Sequence, residues 1–218
     1  MAESVPELPP DAQFETILEG SDLLPMVLRA HQAIEAALNL AIAESLPAPH
    51  AMEIERLSTA LKIDIAVALH IVPADDAPAL RKINGLRNVL AHDPRAAFTP
   101  HDAKALFNAL SARQRHLIGR GYDEFSEHIE VLRHVLAVLY VDLASTLDRL
   151  RDAKLRDEVL HEMVRDRIRR PPRPDDPGTL RIEAEIQARM EAKKRGGKSR
   201  AGGCADDTSE QPGRSVTQ

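Results

Sequence analysis

FSEHIEVLRHVLAVLYVDLASTLDRL, residues 125–150, decides the fold class. Phe125, Ile129, Leu132, Leu136, Leu139, Leu143, Leu147 and Leu150 follow one another at steps of 4, 3, 4, 3, 4, 4 and 3. Such steps place every apolar residue on one side of a 3.6-residue helix, whereas a strand needs alternation at every second position. The seam can continue as far as Ile168, giving a helix of about 45 residues that, at about 1.5 Å per residue, outreaches a small bundle. Two readings are open. Either one helix extends towards a partner such as a second copy of the chain, or two helices meet at a break near Asp152.

The same periodicity works outward through the chain. Val27, Ala30, Ile34, Ala37, Leu38 and Ala41 mark a first helix over about 22–46, capped at Ser21 and ended by Pro47 and Pro49. Ile54, Leu57, Leu61, Ile65, Ala68 and Val72 mark a second over about 53–71, stopped by Pro73. A third covers about 77–92 and precedes Pro94. Thr99-Pro100-His101-Asp102 starts a fourth, with threonine at the N-cap, proline at N1 and an acid at N3, running to about Gly119.

The expected fold class is therefore all-α: a bundle of four to five helices with a long C-terminal helix and a disordered tail. Residues 1–12, with Pro6, Pro9 and Pro10, read as a flexible arm, and 13–170 as the bundle. Residues 171–177 (PPRPDDP) read as a stiff Pro-rich linker, 178–195 as a short helix and 196–218 as the disordered tail.

Composition agrees. The 218 residues are rich in alanine and leucine and contain 3% aromatics and no tryptophan, which excludes a β-sandwich or barrel. A Rossmann fold is excluded by the lack of a glycine-rich turn after a strand-like run. The lone cysteine, Cys204, excludes an intramolecular disulfide and a cysteine-rich zinc site. The longest apolar stretch, 131–144, is broken by Arg133, His134 and Asp142, so no membrane span is expected. The acidic N-terminus lacks an apolar secretory core, and the expected location is the cytoplasm. Residues 1–150 carry a net charge of −8 and 151–218 a net of +3, unlike a duplex-DNA reader with its strongly basic face.

Chemistry concentrates in the third helix, LRKINGLRNVLAHDP, residues 80–94. On a helical wheel Ile83, Leu86 and Leu90 share a sector, and Arg87 falls inside it. A guanidinium stays charged, so burying it alone is costly. Either Arg87 pairs with a carboxylate from another helix, or it lines a cleft open to an anion. His92 lies about 140° round the wheel from Arg87, whereas Asn88 and His92 share a face at i and i+4. A histidine near a helix C-terminus has its protonated form favoured by the dipole. On the first helix His31 and Glu35 stand at i and i+4; the glutamate either serves Arg87 or His92, or pairs with His31. Arg165, Arg167, Arg169, Arg170 and Arg173 form a basic cluster, read either as a solvated helix end or as an RNA-gripping element. His128 and His134 do not share a helix face, and neither a metal nor another cofactor is expected.

LRNVLAHD, residues 86–93, resembles the Arg-x4–6-His signature of the HEPN superfamily (higher eukaryotes and prokaryotes nucleotide-binding), with four residues between Arg87 and His92. The polar Asn88 after the arginine is typical of its nuclease-like members. The segments AHQAIEAALNLAI (30–42) and LSTALKIDIAVALHI (57–71), then the Arg-His helix and a long C-terminal helix, follow the order of that bundle over roughly residues 20–150. LAHDPRAAFTPHDAKAL, residues 90–106, is also similar to mannitol operon repressor-type proteins, which share the bundle and are not known as enzymes.

The resemblance implies a metal-independent endoribonuclease of toxin or defence type, a homodimer whose two Arg-His motifs meet at the interface. Arg87 would bind phosphate, His92 would move the proton of a ribose 2′-OH or leaving oxygen, and Asn88 would orient the group or substrate. Glu35 and His31 would support them. A 2′-OH nucleophile dispenses with metal-bound water. The repressor-type similarity implies instead a non-catalytic regulator acting through protein contacts. A third reading is an RNA-binding accessory whose basic tail carries the function. RNA, a cognate antitoxin and a regulatory protein are the partners these readings name.

Overall fold

The computed structural model describes residues 8–20, 22–93, 95–119, 121–169 and 180–201. Among them there are eight α-helices and no strand: α1 (Asp11–Leu18), α2 (Leu23–Ser45), α3 (Thr59–Ala68), α4 (Ala77–His92), α5 (Pro100–Asn108), α6 (Ala112–Ile118), α7 (His128–Arg169) and α8 (Leu180–Ala201). The protein is an all-α bundle. The chain divides into two compact units, Met1–Arg151 and Asp152–Gln218. α7 is one helix carrying residues of both, so the chain has no break near Asp152.

In the first unit the periodic stripes become the core. Val27, Ala30, Ile34, Ala37, Leu38 and Ala41 of α2 are buried, as are Leu132, Leu136, Leu139, Leu143 and Leu147 of α7. Burying a leucine in this way contributes about 2 kcal/mol, and α2 and α7 supply much of that gain. α1 begins in the last two residues of the expected arm and runs through residues 13–18, ahead of the first expected helix. Its Phe14 is buried and stacks on Tyr140 at 3.9 Å, while the Tyr140 hydroxyl donates to the Pro9 carbonyl.

Local caps override periodicity at two places. The second helix begins at Thr59, not near 53, because the Ser58 hydroxyl accepts from Leu61 N at 3.3 Å and fixes the start. The preceding residues form two short 3₁₀ turns, Pro49–Ala51 and Ile54–Arg56. The helix expected over 100–119 is two helices. Thr99 and Asp102 form the capping box of α5 as read, but Ser111 and Gln114 form a second box that starts α6. Gly119, at φ 75°, closes α6 in the left-handed region open to glycine.

The apolar phase of α3 also differs from the expected stripe. Leu61 is 45% exposed and Ala68 is exposed, whereas Lys62, Ile63 and Ala66 are buried. The helix is apolar nearly all round, so hydrophobicity fixes its rotation weakly. A lysine is accepted inward because its ammonium finds a carboxylate there, described below.

In the second unit Val159 of α7 is buried with Ile186 and Met190 of α8, and Leu155, Leu160 and Met163 pack on them. Lys194–Asp152 (2.5 Å), Lys193–Glu162 (2.9 Å) and Arg189–Asp166 (3.6 Å) order the two segments antiparallel. The apolar seam beyond Arg151 is thus covered by the chain's own α8, which weakens helix length as an argument for a second copy. α8 reaches Ala201, past the expected end at Arg195. The linker 171–177 and the tail from 202 onward, with Cys204, lie outside the described residues.

Candidate functional site

α4 enters the first unit through Pro78 in its first turn, where a missing N–H has no consequence. Ala79, Leu80, Ile83 and Leu90 are buried, and Arg81, Lys82, Gly85, Asn88, Val89 and His92 are exposed. Arg87 stands at the boundary, partly buried. Its Nη1 donates to the side-chain Oδ1 of Asn88 at 3.0 Å, and among the described residues no carboxylate pairs with it. Arg87 is thus turned partly inward, and of the two alternatives for it, the pairing with a carboxylate finds no such acid among the described residues.

His92 is the last residue of α4, exposed and without a hydrogen bond or ion pair to any described residue. It lies about 7.5 Å along the axis from Arg87 and about 140° round it. Asn88 bridges the two positions, bonded to the guanidinium and sharing the i, i+4 face with His92.

Behind Arg87 runs a buried polar track. His31 of α2 is 3% exposed, and its Nε2 is hydrogen-bonded with Asn84 Oδ1 of α4 at 3.2 Å. Its Nδ1 lies 3.9 Å from Glu35 Oε2. Glu35 Oε1 accepts from Lys62 Nζ of α3 at 2.6 Å, and Lys62, 1% exposed, also donates to the Glu55 carbonyl at 3.3 Å. Burial pushes the His31 pKa below the usual imidazole value, and the charges of Arg87 and Lys62 add to that; the Asn84 bond and Glu35 oppose it. The ring is therefore held neutral beside two cations.

The candidates of α2 and α4 thus share one neighbourhood. His31 meets α4 through Asn84, Glu35 serves Lys62 rather than Arg87, and His92 stays apart at the helix end. Lys62 is the member that sequence reasoning missed. A lysine within an apolar stretch reads as the solvated face; the signal was a buried-side acid, Glu35, on the neighbouring helix. Of the basic cluster, Arg165, Arg167 and Arg169 lie in the last turns of α7, and Arg165 is exposed. Arg170 and Arg173 lie outside the described residues.

Two cavities flank α4. One, of about 410 Å³, is lined by Leu80, Leu139 and Leu143 with Asp76, Arg113 and Gln114 at its polar side. There Arg113 bridges Asp142 and the buried Asp76, the latter at 2.5 Å, and these bonds raise its pKa above the ordinary guanidinium value. The other, about 620 Å³, is an apolar groove between α4 and α5 lined by Pro78, Gly85, Leu86, Val89, Phe98 and Leu106. Val89 is 57% exposed along it. Among the described residues no group of three or more His, Cys, Asp or Glu is placed to hold a metal ion. No helix among them is long and apolar enough to cross a membrane.

The arrangement offers a partly exposed cation with an amide bonded to it, and an imidazole that stands apart at the end of the same helix. It can hold an oxyanion and deliver or take a proton at its edge. No protein-family model matches the chain, and neither a curated protein nor a solved structure matches it.

Proposed function

We propose that the chain is a metal-independent endoribonuclease of toxin or defence type that acts as a homodimer. The observation that carries this reading is the state of Arg87, a partly exposed guanidinium with Asn88 as its hydrogen-bond partner and no carboxylate among the described residues. Such a group is available to a phosphate, whose charge it stabilises most as the pentacovalent transition state forms. His92, free at the helix end, moves the proton of the 2′-OH or of the leaving oxygen. Asn88 holds the guanidinium by its oxygen and presents its amide N–H groups to the substrate. A second copy brings its own Arg-His motif against this one, and RNA is the substrate.

The test is cleavage of single-stranded RNA in EDTA by the wild type, Arg87→Ala and His92→Ala. Loss in both variants, with unchanged circular dichroism, supports the assignment. Undiminished cleavage by both would remove the mechanism.

A second reading, a non-catalytic regulator with a protein partner, is favoured by the apolar groove beside the motif and its exposed Val89. It requires a wild type inert towards RNA and a binding deficit in Val89→Asp.

A further inference from the structure

Lys62 is a buried ammonium among apolar neighbours in its own helix, Ile63 and Ala66. Its charge is taken up by Glu35 at 2.6 Å and by one backbone carbonyl, Glu55 O at 3.3 Å. Carrying a charge to 1% exposure is costly unless the pair has a use or an excellent geometry. The surroundings suggest the use. Glu35 lies 3.9 Å from Nδ1 of the His31 ring, and Nε2 of that ring is bonded with Asn84, one turn before Arg87 on α4, so one imidazole links the turn that carries Glu35 to the turn that leads to Arg87. Without Lys62, Glu35 would be an unpartnered carboxylate beside a long, flexible, uncommitted guanidinium. Carboxylate and guanidinium bind one another as a two-pronged pair, in the geometry that a phosphate also uses. The two anions would compete for one cation.

We propose that Lys62 is a positioning residue that sequesters Glu35, so that the Arg87 guanidinium stays unpaired and ready for a phosphate oxyanion. The charge inventory is simple. With Lys62 and Glu35 cancelling, Arg87 keeps a full positive charge towards the surface. With Lys62 neutralised, the cluster of Glu35 and Arg87 sums to zero. His31 reinforces the arrangement: burial disfavours a proton on its ring, which is bonded with Asn84, so no third charge enters the track. This inference rests on the phosphate-binding role given to Arg87 above, and it extends that role to a residue of the preceding helix.

The experiment follows the Arg87 side-chain N–H signal by NMR during titration with inorganic phosphate, on the full chain, with assignment by the loss of that signal in Arg87→Ala. The variants are Lys62→Met, and Lys62→Met combined with Glu35→Gln. Lys62→Met is expected to weaken phosphate binding at Arg87 roughly tenfold, the scale of one competing charge-assisted contact. The double variant is expected to restore affinity to within about threefold of wild type, because the competing anion is gone. A merely structural role predicts no such rescue.

Replacing both members of a buried pair by neutral groups is often tolerated where replacing one is not. Should Lys62→Met fail to fold for that reason, Lys62→Gln takes its place: it removes the charge but keeps a hydrogen-bond donor for Glu35, and it is compared with the double variant by the same loss of about tenfold and recovery to within about threefold. Among folded variants, Lys62→Met binding as wild type does, or a double variant no better than Lys62→Met, overturns it. A wild type whose Arg87 signal ignores phosphate overturns both this proposal and the phosphate role of Arg87. A response lost in Arg87→Ala but indifferent to residues 62 and 35 overturns this proposal alone.

Discussion

Arg113 and Arg87 belong to the same unit and meet opposite surroundings. Arg113, on α6, is gripped by Asp142 and by the buried Asp76 just ahead of α4. Arg87, three turns along that helix, bonds the neutral Asn88, and the acid nearest to the track behind it is held by Lys62. The difference teaches how one side-chain type is divided between architecture and chemistry. A guanidinium enclosed by two carboxylates joins three helices and has little left for a ligand. One denied a carboxylate is, in the proposed reading, held ready for an anion that comes and goes.

The comparison can be broken most directly by exchanging the readouts. Arg87→Ala is expected to lower RNA cleavage by at least about 100-fold, the usual scale for a lost transition-state donor, while the urea midpoint hardly moves. Arg113→Ala is expected to leave the rate of the folded enzyme within about twofold, since no step in the proposed mechanism uses it. Should Arg113→Ala abolish cleavage in fully folded protein, the division drawn above fails.

Stability gives the next largest contrast. Removing Arg113 strands the buried Asp76 carboxylate, and denaturant unfolding should register a loss of about 2 kcal/mol. That figure is set below the range for fully buried pairs because the Arg113 side chain is 47% exposed and water screens it. An Arg113→Ala protein as stable as Arg87→Ala would contradict the clamp.

The smallest effect is a slope with pH. The native His31 ring titrates below its usual value of 6.5, because burial and the nearby cations disfavour the proton. As pH falls below about 6.5, the unfolded chain takes up that proton first. Stability therefore declines with falling pH until the native ring is itself protonated, and the contribution is fully present above 6.5. His31→Gln can still bond Asn84, and it should flatten stability against pH in that window. An unchanged slope would assign it to other groups.

Periodicity made much of this fold legible beforehand. α2, α4 and α7 announce themselves because their apolar residues recur on one face, and those faces are buried. α1 was hidden by Pro9 and Pro10, which read as extended chain although proline suits the entry of a helix. α6 was hidden because Ser111 and Gln114 are two ordinary residues until their reciprocal bonds are seen. The site divides in the same way. Arg87, Asn88 and His92 are written in one short stretch, whereas the role of Lys62 depends on Glu35, 27 positions away. No local pattern encodes that long-range pairing.

Gly85 carries one further implication. It lies in the middle of α4, and a methyl group built there meets nothing within 4 Å. Glycine weakens a helix interior by about 0.5–1 kcal/mol relative to alanine. Gly85→Ala should thus raise the melting temperature of the free chain. The same methyl would thicken the strip of α4 that borders Val89 and the groove, where a foreign backbone can come closest. Under the proposal that the chain works as a dimer or with a protein partner, a more heat-resistant variant that has lost that association would mark this gap in the side-chain wall as its seat.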